Sequence, residues 1–61
     1  MGINWERGDK VQEVGGMEYV GIVIAADNRP DYTCVAVCYE IDGIIRVIPK
    51  AMLRNLSKEK R

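Results

Sequence analysis

Of the polar residues of this 61-residue chain, Glu13 and Arg46 are the two to watch: Glu13 is a polar residue of the first strand, Lys10-Val11-Gln12-Glu13-Val14, and Arg46 alone interrupts the apolar run Ile44-Ile45-Arg46-Val47-Ile48. A guanidinium there, flanked by Val47 and Ile48, could line a pore or groove and hold an anion. The plainer reading makes Glu13 and Arg46 exposed strand residues, or halves of an ion pair that does no chemistry. No other residue set offers a reaction. The chain has no histidine and one serine, Ser57, so histidine-assisted nucleophilic catalysis is excluded. Gly15-Gly16 runs into Met17 rather than a Lys-Ser/Thr pair, so it is no phosphate loop. Asp27 and Asp31 flank Asn28-Arg29-Pro30 and read as solvated turn carboxylates, since no second pair of cation ligands accompanies them.

Cys34 and Cys38 fall short of the four ligands of a structural zinc. Four residues of extended chain also separate them by roughly 13 Å, beyond the roughly 7 Å reach of a disulfide. With no base indicated beside them, both thiols read as core packing. The expectation is therefore no catalytic residue, no metal and no cofactor.

These residues need a scaffold, and the pattern predicts an all-β one. Residues 1–7 form an N-terminal arm whose anchor is Trp5, which covers one end of the core. Gly8-Asp9 makes a turn, and residues 10–14 form a short strand with Val11 inward. Residues 20–26 form the clearest strand, apolar on both faces, so it must be covered on both sides. Residues 33–39 alternate Cys34, Ala36, Cys38 with Val35, Val37, Tyr39. The small set suits a tight interior, which would turn Val35, Val37 and Tyr39 outward beside Ile22 and Ile24.

Asp42-Gly43 closes a hairpin into residues 44–48. Pro49 ends that strand, Lys50 to Leu53 has the length of one helical turn, residues 54–56 add a last strand, and residues 57–61 form a frayed charged tail. Four strands, a single helical turn and a short fifth strand define one domain over residues 1–61, a small SH3-like barrel of about five antiparallel strands. The brief loop between Gly15 and Tyr19 leaves no room for the long loop of a proline-motif groove.

A domain this small buries only about 60% of the surface its unfolded chain exposes, and neither disulfide nor metal is available as a staple. At 48% apolar composition, some hydrocarbon is left to face a partner. We expect a homo-oligomer, dimer or tetramer, with Tyr19, Ile22, Ile24, Val35, Val37 and Tyr39 as interface candidates. No apolar run approaches the roughly 20 residues of a membrane span, and Glu6 stands where a myristoylation signal needs Ser or Thr. The N-terminus also lacks a signal-peptide pattern, so no membrane association and a cytoplasmic location are expected.

Net charge is zero but polarised: residues 1–42 hold eight acids against three basic residues, and residues 43–61 one acid against six. Overall neutrality disfavours nucleic acid as a partner, although the basic C-terminal third (Arg46, Lys50, Arg54, Lys58, Lys60, Arg61) keeps it as an alternative.

Gly8-Asp9-Lys10-Val11 followed by Gly21-Ile22-Val23 resembles the opening of KOW domains, small SH3-like modules of ribosomal and transcription proteins. A longer pattern spans Gly8 to Leu56: Gly8-Asp9-x-Val11, Gly16, Tyr19, Gly21, Val23, Gly43 and Pro49-x-Ala51-x-Leu53. It resembles the plasmid-borne, trimethoprim-insensitive (type II) dihydrofolate reductases. The resemblance implies a bacterial SH3-like barrel, four copies of which surround a pore that is the active site, with Tyr19 in place of an interface tryptophan.

The functional positions differ. The family's Val-Gln-Ile-Tyr pore motif falls on Ile45-Arg46-Val47-Ile48, and an anion-attracting lysine falls on Glu13. Fold and assembly carry over; the activity does not. The expected function is a non-catalytic, self-associating binding module. A nucleic-acid-binding barrel and a reductase-like pore enzyme are the alternatives.

Overall fold

The structure, a computed structural model, describes residues 3–59. Five strands, β1 (Lys10–Glu13), β2 (Val20–Ala25), β3 (Cys34–Tyr39), β4 (Ile45–Pro49) and β5 (Leu53–Asn55), form one antiparallel sheet in the order β4-β3-β2-β1-β5. A 3-10 turn at Lys50–Met52 precedes β5. This is the expected all-β, SH3-like arrangement, with boundaries shifted by a residue or so. Val14 leaves β1 because positive φ at Gly15 and Gly16 (78° and 56°) turns the chain, and its N–H goes to Met52 O instead. Pro49 is itself the last residue of β4. Lys50 N donates to Thr33 O, so the Pro49 nitrogen faces the open edge, where no ladder bond is lost.

Register decides which side chains meet. Val11 opposes Gly21 and Asn55, Gly21 opposes Tyr39, Val23 opposes Val37, and Val35 opposes Ile48. These positions share the inner face, and Val11, Val23, Val35, Val37, Tyr39 and Leu53 form the core with Trp5 over it. The expected orientation of β3 is thereby reversed. Val35, Val37 and Tyr39 are 2%, 0% and 2% exposed, whereas Cys34 is exposed and Cys38 half-buried on the outside. Room for Val37 comes from β2: a Cβ on Gly21 would lie 2.5 Å from Val37 Cγ1 and 2.8 Å from the Cys38 carbonyl oxygen. The small residue that relieves crowding is on the neighbouring strand, so the larger residues of β3 can point inward.

The described segments before β1 and after β5 are held by side-chain hydrogen bonds. Asn28 clamps the Trp5 backbone, its Oδ1 accepting from Trp5 N (2.7 Å) and its Nδ2 donating to Trp5 O (2.9 Å). Asp9, buried, accepts from Asn55 Nδ2 (2.9 Å) and Glu6 N (3.0 Å), with Lys58 Nζ 3.4 Å from its other oxygen. Ser57 Oγ accepts from Lys10 N at 2.8 Å. The expected frayed tail is therefore anchored as far as residue 59, and Met1, Gly2, Lys60 and Arg61 lie outside the described residues. No helix among the described residues is long and apolar enough to cross a membrane.

Candidate functional site

A cleft of about 370 Å³ opens at one end of the barrel, lined by Glu13, Tyr19, Tyr39, Ile41, Asp42 and Arg46. Inner-face positions supply its floor. Glu13 ends β1 opposite Leu53, Tyr39 ends β3, and Arg46 lies on β4 opposite Val37. Two turns supply the walls. Glu13 N donates to Tyr19 O (2.9 Å), which brings the 14–19 loop over the cleft. In the β3–β4 hairpin Gly43 adopts φ 69° and Asp42 Oδ1 accepts from Ile44 N (2.9 Å), fixing the carboxylate beside Arg46.

Tyr39 is the centre of the arrangement. Its hydroxyl donates to Glu13 Oε2 at 2.6 Å, a short charge-assisted bond. The Tyr19 ring meets the Tyr39 ring edge-on, with centroids 6.4 Å apart and planes at 81°. The Arg46 guanidinium lies 5.0 Å from the Tyr39 centroid, a cation–π distance, and forks onto Asp42 at 2.8 and 3.4 Å. Burial, then the bond to the Glu13 carboxylate, pushes the Tyr39 hydroxyl up to about 12. It stays a donor at neutral pH and is no acid–base catalyst there. The hydrogen bond from Arg46, helped by that from Ile44 N, holds the Asp42 carboxyl below its ordinary value, and Asp42 in turn raises Arg46. All three groups therefore keep their ordinary charge states at neutral pH.

Of the four residues expected to line a pore, Glu13 and Arg46 come together here. Val47 does not join them. Alternation along β4 puts it on the opposite face, opposite Ala36 and 71% exposed, while Ile48 turns inward and packs against the core. Among the interface candidates, Val35, Val37 and Tyr39 are inside the monomer and are withdrawn from that role. Ile22 and Ile24 are half-buried on the outer face, and Tyr19 is half-buried against the core. Sequence reasoning missed Tyr39 and Asp42 as cleft residues. The i,i+4 spacing of Asp42 and Arg46 across an Asp-Gly turn was the available signal.

The thiols have unreactive neighbours, Thr33 Oγ1 at 3.9 Å from Cys34 Sγ and the Gly43 carbonyl at 3.5 Å from Cys38 Sγ. Asp27 serves its own turn. The hydrogen bonds from the Arg29 side chain and backbone draw its carboxyl down to about 2. Among the described residues no three His, Cys, Asp or Glu side chains gather as a metal site. No protein-family model, no curated protein and no solved structure matches the chain. The two resemblances therefore rest on the residues quoted for them.

Proposed function

We propose that the protein is a non-catalytic, self-associating SH3-like binding module. One observation carries this reading: the outer face of β2-β3-β4 is apolar over three strands. Ile22 pairs with Cys38 and Cys38 with Ile45, Ala36 pairs with Val47, and Ile24 lies at the adjoining bulge. Ile45 and Val47 are 57% and 71% exposed. A second copy suits this face better than an unrelated partner, because β4 is also the sheet edge. Lys50 N and Ile44 O turn toward β3, so the alternating residues Ile45 and Val47 direct their ladder groups outward. An edge strand pairs antiparallel with its own copy about a two-fold axis, which satisfies both chains with one contact.

A standard interface takes about 800 Å² per partner. That is roughly a fifth of the 4401 Å² surface.

The basic C-terminal third supports nucleic-acid binding less well. Arg46 is committed to Asp42, Arg54 to Glu59, Lys58 to Glu6 and Asp9, and Lys50 Nζ to the carbonyls of Asp27 and Tyr32. A reductase-like pore needs a site that draws anionic cofactors, and the cleft sets two carboxylates against one guanidinium. Light scattering on the intact chain at micromolar concentration tests the proposal. A dimer or tetramer is expected, with Val47→Glu reduced to a monomer of unchanged circular dichroism. A wild-type monomer throughout would reject self-association.

A further inference from the structure

The cleft already contains one guanidinium, and the groups that hold it are present twice. Arg46 is seated by a ring and a carboxylate, Tyr39 and Asp42. The same cleft is also lined by a second ring and a second carboxylate, Tyr19 and Glu13. Glu13 uses Oε2 to accept from Tyr39, and among the described residues no side chain donates to its Oε1. That bond fixes the Glu13 carboxylate at the cleft wall without neutralising it.

We infer that the Glu13–Tyr19 half of the cleft binds the guanidinium of an arginine side chain presented by a partner peptide. A planar guanidinium matches this pair better than a lysine ammonium, because it can stack on the tyrosine while it forks onto the carboxylate, as Arg46 does. An anion is disfavoured. The one guanidinium it could use is already forked onto Asp42, and Glu13 repels it. The cleft volume, about 370 Å³, is at the small end of ligand sites, which suits one side-chain head rather than a whole cofactor.

The inference rests on the binding-module reading but not on self-association, since Val47 and the outer face lie across the sheet from the cleft. The test is an amide NMR titration with acetyl-Gly-Arg-Gly-amide, its neutral citrulline analogue, and inorganic phosphate. The arginine peptide should move the Glu13, Tyr19 and Tyr39 signals saturably, and the citrulline peptide should bind at least about five-fold more weakly, the equivalent of one charge contact. Glu13→Gln, which keeps an acceptor for Tyr39, should lose a similar factor while its spectrum stays folded. Val47→Glu should bind as the wild type does even where it is monomeric. Equal affinity for both peptides, full binding by Glu13→Gln, or phosphate shifting the same signals would overturn the assignment.

Discussion

Gly21→Ala is the sharpest test of how the barrel is packed. The new methyl would be directed at Val37 Cγ1, 2.5 Å away, and at the backbone of Cys38, with O at 2.8 Å and C at 3.3 Å. Carbon pairs are comfortable at about 3.5–4.0 Å, so the overlap with Val37 is about 1 Å. Val37 is fully buried, so any rotation away from the new methyl must be accommodated by its core neighbours. The Cys38 carbonyl belongs to the strand paired with β2 and cannot retreat without moving β3. Overpacking of this kind costs about 1–3 kcal/mol. Against it stands about 0.4–1 kcal/mol from the smaller conformational freedom of alanine in the unfolded chain.

The net destabilisation is about 0–2.6 kcal/mol, centred near 1.3, and the central value lowers Tm by roughly 5–10 °C for a domain of this size. Thermal circular dichroism at fixed low protein concentration measures it, so that any assembly contributes equally to both proteins. A raised Tm would mean that β2 and β3 are not this close at Gly21. The explanation for the inward side of β3 would then fail.

Acid stability should depend on Asp9. Burial alone would raise its carboxyl, but the bonds from Asn55, Glu6 N and Lys58 outweigh burial and leave it below 3.8. A depressed folded value contributes stability that is complete above about pH 4 and is lost as pH falls through the folded value. Asp9→Asn should therefore be less stable by about 1–3 kcal/mol at pH 7 and approach the wild type as pH falls through the folded value. Urea midpoints across that range check this, and parallel curves would reject it. Cys34, exposed, should react with a maleimide before half-buried Cys38, and Val47→Glu should speed labelling of Cys38 by uncovering the outer face. Tandem mass spectrometry, whose fragments between Cys34 and Cys38 separate the two thiols on their shared tryptic peptide, reads both rates, and identical rates for the two thiols would contradict the placement.

Strand order was legible because its signals are local: β-branched runs, an Asp-Gly turn, paired glycines and a proline before the last strand. The orientation of β3 was not. Both alternating sets of that strand are apolar, so periodicity alone could not choose between them. The choice depends on Gly21, which sits thirteen residues before Cys34 in the sequence and opposite Tyr39 in the sheet. Cross-strand space of this kind is invisible to a reading of one strand at a time. Arg46 was recognisable as the one break in an apolar run and Glu13 only through the reductase resemblance, whereas Tyr39, which joins them, was hidden by the same ambiguity.

Alternation along β4 gives neighbouring residues different roles. Arg46 turns inward to the cleft with its guanidinium on Tyr39, while Ile45 and Val47 turn to the opposite face. A contact through Ile45 and Val47 therefore need not cover the Glu13–Tyr19 half of the cleft, which is built from β1 and the loop before β2 at the other side of the sheet. Substitutions at Val47 and Glu13 then separate assembly from ligand recognition, because each alters one face of a single sheet. The reductase resemblance would merge the two roles in a shared pore around Arg46. In this chain Arg46 is held within its own monomer by Asp42 and Tyr39, and Glu13 supplies negative charge beside it. That chemistry favours a cationic ligand over the anionic substrates of a reductase.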